Sequence, residues 1–223
     1  MKRTLIIILA MLLAVPVAEA RRKTKKAGKI DGDQYQDNIY NFQIKIHENW
    51  KPKVGKEADN VRLVLTQRNY GIPQDYINVK DYTKIPQVIV YVDTSSLGAT
   101  VFIDSLTTTD FKSDQKGDIL KEFEILSEPD LIPMQRSRLE IAGQPALMWK
   151  VQAKYMKEIR MSASSTTGTG VRRSYGGAIA AVRIGPDIVL FYTMAEWEFF
   201  ESVLAEVVPM MESCTVPEEE EEG

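Results

Sequence analysis

Two short stretches, Val88-Ile89-Val90-Tyr91-Val92 and Ile188-Val189-Leu190-Phe191-Tyr192, run without a polar phase. Apolar runs this short and rich in β-branched residues read as strands, and a strand that is apolar on both sides must be covered on both sides. A sheet with one wet face cannot hold them. The two runs therefore call for layers above and below a common sheet.

Other segments supply the rest of that sheet. Tyr40 to Ile46 alternates strictly between apolar and polar residues, and His47 continues the polar phase, which predicts a solvent-facing strand end. Glu48-Asn49 turns the chain, and the apolar body of Trp50 requires burial. Val61-Arg62-Leu63-Val64-Leu65 alternates again, with Arg62 on the polar phase. Residues 68 to 86 read as a long loop broken by Gly71, Pro73 and Pro86. Arg138 to Ile141 leads through Ala142-Gly143-Gln144 into Pro145 to Tyr155, a hairpin with Leu147, Trp149, Val151, Ala153 and Tyr155 on one face. The stretch SASSTTGTGVRRS, residues 162 to 174, reads as a loop before a strand over Ala178 to Ile184, and Gly185-Pro186-Asp187 turns into the last strand.

Helical spacing appears in three places. Ala99, Phe102, Ile103 and Leu106 fall on one face, and Asp118 is placed to cap a short helix carrying Ile119, Leu120 and Phe123. A final helix begins near Glu196 with Trp197, Phe200, Leu204, Val207 and Met211 down one side, and Pro209 is expected to kink it or begin a new turn. The fold class that follows is α/β, an α/β/α sandwich with a largely antiparallel sheet.

The chain opens with Lys2 and Arg3, an apolar run from Leu5 to Ala18, and Ala18-Glu19-Ala20. This is the layout of a secretory signal, with cleavage expected after Ala20. The rival reading is an uncleaved membrane anchor, because basic residues follow the apolar run at once. Cleavage leaves 203 residues, enough for one cored domain, and moves the formal charge from −3 to −4. That mild balance argues against a nucleic-acid partner. The expected organisation is a signal peptide over 1–20, a basic disordered linker over 21–38, one domain over 39–216, and an acidic disordered tail over 217–223. Arg21, Arg22, Lys23, Lys25 and Lys26 also offer a weak contact for an anionic surface, and both charged ends read otherwise as solubilising tails.

Three stretches together resemble the PsbP-like superfamily, which includes the photosystem II extrinsic protein, Ran-binding release factors and bacterial envelope proteins. They are YNFQIKIHENWK, IAGQPALMWKVQAKY and DIVLFYTMAEWEFFESVLAEVVPMMESC. The resemblance covers Tyr40 to about Thr215 and implies a PsbP-like domain of envelope or secreted type. This chain departs from the family pattern at three points. Asn41 stands where glycine is common, His47 where proline is common, and Ser213-Cys214 where Ser-Phe is common. The single histidine and single cysteine thus occupy positions that the family fills with structural residues.

No constellation for catalysis emerges. One histidine and one distant cysteine do not make a transition-metal set, so no metal or other cofactor is expected. Asp31-Gly32-Asp33 with Asp37 lacks the further oxygens and closing glutamate of an EF-hand and reads as part of the linker. Plant relatives are linked to manganese and calcium, but the resemblance carries over no ligand set. Cys214, at the end of an apolar helix face, reads as a buried inert thiol. Gly168-Thr169-Gly170 precedes a strand, not the helix that a phosphate loop requires. Arg172, Arg173 and Tyr175 beside it form the best candidate contact surface. The functional expectation is an exported non-catalytic domain binding a protein or envelope component. The alternatives are a carboxylate-dependent hydrolase, with two acidic side chains converging in a cleft, and a carrier of a small apolar ligand.

Overall fold

The computed structural model describes residues 25–70, 86–107, 131–160 and 168–217. The signal segment, the helix expected at Asp118, most of the loop over 68–86 and the glutamate run lie outside them.

Two sheets make up the described fold. The small one comprises β1 (Gly28–Asp31), β2 (Gln34–Asp37) and β3 (Gln43–Lys45) in that order. The large one contains β4 (Trp50–Val54), β5 (Val61–Gln67), β6 (Gln87–Thr94), β7 (Leu131–Ile141), β8 (Gln144–Arg160), β9 (Gly168–Ile184) and β10 (Asp187–Glu196). Its order is β4-β5-β6-β10-β9-β8-β7, and each of these pairings is antiparallel. Two helices, α1 (Ala99–Thr107) and α2 (Trp197–Glu212), pack against it.

The two apolar runs are β6 and β10, neighbours near the middle of the large sheet. Alternate residues of these strands feed separate cores. Val88, Val90, Val92, Val189 and Phe191 join Phe200, Val203, Leu204 and Val207 of α2 in one cluster. Ile89, Tyr91, Ile188, Leu190 and Tyr192 join Phe102 and Ile103 of α1 in the other. Since successive side chains of a strand point to opposite faces, α1 and α2 lie on opposite sides of the sheet. Each fully buried aliphatic or aromatic side chain there contributes about 1.5–3 kcal/mol of burial free energy. Pro209 lies within the continuous span of α2.

The β7–β8 hairpin closes through Ala142 and Gly143, both at positive φ, 53° and 68°. A two-residue loop of this kind matches the twist of its strands, and glycine meets the second position without steric cost. Ala142 also donates its amide to the carbonyl of Cys214, which fastens the hairpin to the end of α2. Leu147, Trp149 and Val151 face the α1 side as their alternation requires.

Two expectations are corrected. Residues 28–37 form the β1–β2 hairpin, turning at Gly32 (φ 58°), where the sequence predicts a disordered linker. Ala27, Tyr35 and Asp37 are buried, so this hairpin is part of the domain. Residues 168–174, read as loop, belong to β9, which stays paired with β8 out to Arg160↔Gly168.

Candidate functional site

Arg172 and Arg173 pair with Met156 and Tyr155 along the β8–β9 ladder. Tyr175 is 3% exposed and sits in the α1-side core. The structure thus makes Tyr175 a core residue, not an open contact, because it falls on the inward phase of a strand that the glycines and serines disguise. Asp31, Gly32 and Asp33 form the hairpin turn, with Asp33 paired to Lys45 at 3.6 Å, whereas Asp37 is buried elsewhere. Cys214 is buried, and that burial pushes its thiol up to about 12.

Asp37 belongs to a buried charge cluster. A register shift in the β5–β6 pairing falls between Val61 and Leu63. Such a bulge re-aims the residue it contains, and Arg62 thereby turns inward beside the hairpin although its place in the alternation predicts solvent. Its five N–H donors reach Asp37 Oδ1 and Oδ2 and the carbonyls of Ala27, Glu57 and Asp59, at 2.8 to 3.1 Å. The Asp37 carboxylate also accepts from the Tyr35 hydroxyl and the amides of Ile39 and Tyr40. The Tyr40 ring covers the guanidinium at 5.0 Å. Burial acts to raise the Asp37 pKa, but Arg62, the two amides and the Tyr35 hydroxyl outweigh it and hold the carboxyl below its usual range. With every donor engaged, the cluster is a clasp between the hairpin and the large sheet.

A groove of about 270 Å3 opens between β3 and α2, lined by Lys45, Ile46, His47, Ala205, Glu206, Pro209, Met210 and Ser213. Ile46 and Met210 are buried at its floor, while Lys45, His47, Ala205 and Pro209 are exposed around it. His47 is therefore the solvent-facing strand end that its phase predicts. The groove gathers a serine, a histidine and a glutamate, the residue types of an acyl-transfer triad. Their hydrogen bonds go elsewhere. Ser213 donates its hydroxyl to the Met210 carbonyl at 2.7 Å and accepts from the Lys45 amide. His47 Nδ1 accepts from the Asn49 amide at 3.2 Å. Glu206 accepts from Trp50 Nε1 at 2.8 Å and from the side chains of Asn49 and Gln67. Sequence reasoning missed Glu206 because its partners lie about 140 to 157 positions away.

At the far end of β6, Asp93 pairs with Ile188 and Thr94 with Asp187, so the two aspartates sit one register step apart and leave opposite faces of the sheet. Burial, together with the Asp187 charge, raises the Asp93 carboxyl above its usual range against a hydrogen bond from the Thr94 amide. Asp187 Oδ1 accepts from the Thr94 hydroxyl at 3.1 Å.

No helix among the described residues is long and apolar enough to cross a membrane, and among the same residues no group of three or more metal-ligating side chains converges. No family model and no curated protein matches this chain. Solved structures do. The chain is similar to cyanobacterial PsbP from Synechocystis sp. PCC 6803, at 13% identity and a TM-score of 0.47, over 85% of this chain and 98% of that one. It is similar to LpqN of Mycobacterium tuberculosis, described as involved in cell envelope biogenesis, at 10% identity and a TM-score of 0.44, over 91% and 97%. It is also similar to the Ran-binding protein Mog1p of Saccharomyces cerevisiae, at 8% identity and a TM-score of 0.44, over 84% and 96%. These neighbours share the PsbP-like fold, the one that the three quoted stretches of this chain resemble.

Proposed function

We propose that this chain is an exported, non-catalytic domain that binds a protein or a cell-envelope component through the groove between β3 and α2. The groove's make-up carries this reading. It has an apolar floor of Ile46 and Met210, exposed Ala205 and Pro209 on its helix side, and Lys45 and His47 on its strand side. A small apolar centre with a polar rim is the usual composition of a recognition patch. Its serine, histidine and glutamate hold the fold together through the hydrogen bonds given above. In this reading α1 and α2 make the outer layers of an α/β/α sandwich. Export follows from the N-terminal apolar run and cleavage after Ala20, with a periplasmic or extracellular destination.

The test is photo-crosslinking in cells, with a photoreactive residue placed at Ala205 or, as a control, at Val101 on the opposite helix. A discrete adduct from position 205 alone supports the groove. Equal patterns from both positions, or none from 205, reject it.

The hydrolase alternative has the half-buried carboxyl of Asp93 in its favour, raised above its usual range by burial. Turnover across a hydrolase panel that Asp93→Asn abolishes would establish that reading in place of a binding role. A carrier of a small apolar ligand requires a cavity at or above about 300 Å3 that encloses its cargo, and the groove is smaller and open to solvent.

A further inference from the structure

Residues 25–27 run antiparallel to residues 55–57, beyond the end of β4, the outermost strand of the large sheet. The Ala27 amide donates to the Gly55 carbonyl at 3.0 Å and the Glu57 amide to the Lys25 carbonyl at 2.9 Å. Between these bonds Lys26 and Lys56 stand directly opposite each other. Like charges placed so are destabilising in an antiparallel pair, so this arrangement is unfavourable unless an anion lies against it. Lys51 and Lys53 of β4 extend the same edge. They are exposed and share one phase, while Trp50 and Val54 take the other phase and pack on the core. The acidic groups nearby are Glu57, paired with Lys25 at 4.0 Å, and the exposed Asp59. In the sequence, Lys25 is preceded by the basic residues Arg21, Arg22 and Lys23, which follow the apolar run that ends at Ala18.

We infer that the β4 edge, with Lys25, Lys26, Lys51, Lys53 and Lys56, is a docking surface for an anionic lipid bilayer. Lys51 and Lys53 on β4, with Lys25, Lys26 and Lys56 where paired chain extends beyond it, present the charge that such a surface attracts, and the basic segment precedes them in sequence. Lipid headgroups are the occupant because the edge is a broad row with no cradle for a single phosphate. The inference shares only the export of the chain with the groove reading. Because the groove lies elsewhere, an uncharged Ala205→Gln variant is expected to bind vesicles as the native protein does.

The experiment uses purified residues 21–223 with vesicles of phosphatidylglycerol or phosphatidylcholine, read by co-sedimentation. Binding is expected to the anionic vesicles alone and to fade within moderate salt, where the screening length is about 8–10 Å. The triple variant Lys51→Gln/Lys53→Gln/Lys56→Gln is expected to bind at least about tenfold more weakly. Arg136→Gln/Arg138→Gln, on β7 at the opposite edge of the sheet, serves as the control and is expected to change little. Circular dichroism checks folding, and Lys25→Gln/Lys26→Gln repeats the test should the triple variant unfold. No binding to anionic vesicles at low salt, or native binding by the folded lysine variants, overturns the inference. Binding of soluble polyphosphate by the protein under conditions where anionic vesicles at equal charge concentration are not bound also overturns it, by assigning the edge to a soluble polyanion.

Discussion

Arg62 Nε donates to Asp37 Oδ2 at 2.8 Å, and both side chains are buried, 25 residues apart in sequence. Removing one member of such a pair leaves an unbalanced buried charge. Asp37→Ala is therefore expected to cost about 3–5 kcal/mol in chemical denaturation. The apolar double variant Asp37→Leu/Arg62→Met is expected to recover only part of that loss, because the carbonyls of Ala27, Glu57 and Asp59 also lose their donors. A native midpoint for Asp37→Ala would show that the clasp contributes nothing.

The same carboxylate sets an acid limit. Its folded pKa lies below the ordinary 3.8, so its contribution is whole above that value and drains as pH falls through the folded pKa. Stability measured from neutral pH downward should therefore fall less steeply below about pH 4 in Asp37→Asn than in the native chain. Parallel curves would mean that other carboxylates dominate.

Gly176 lies under the ring of Phe200, and a Cβ added there would overlap that ring. Phe200 is fully buried in the α2-side core and cannot swing aside. Gly176→Ala is expected to destabilise by about 1–3 kcal/mol through overpacking, and Phe200→Leu should relieve part of it. Strict additivity of the two changes in a double-mutant cycle would contradict the contact.

Cys214 is 1% exposed, and its pKa stands at about 12 because burial disfavours the thiolate. Thiol reagents should modify it slowly in the native protein and rapidly in denaturant. Fast native labelling at mildly alkaline pH would place the sulfur at the surface.

His47 is exposed, its amide makes only a 3.4 Å contact to Met210 sulfur, and its ring accepts one hydrogen bond from the Asn49 amide. His47→Gln and His47→Pro should each lower stability by less than about 2 kcal/mol. A larger loss in thermal or chemical unfolding would make it a structural keystone.

Much of this architecture is legible in short-range pattern. The unbroken apolar runs at Val88 and Ile188 demanded cover on both sides, because a strand's two faces are read by adjacent residues. The spacing of Phe102 and Ile103, and of Phe200, Leu204 and Val207, marked the two helices that supply it. Asn41 has a φ of 50°, in the left-handed region that asparagine tolerates better than most residues. The β1–β2 hairpin escaped notice because its inward phase ends in Asp37, a residue that signals exposure unless its partner is known. That partner, Arg62, looked equally solvent-bound, and only the bulge in β5 turned it inward. The groove is more distant still, since α2 meets the β3 end across 163 residues at His47 and Met210. Local sequence determined which surfaces are apolar. Which polar groups are buried together, and which exposed ones share a groove, was decided only when the folded chain brought distant segments into contact, because a charge can be buried only where its partners already stand.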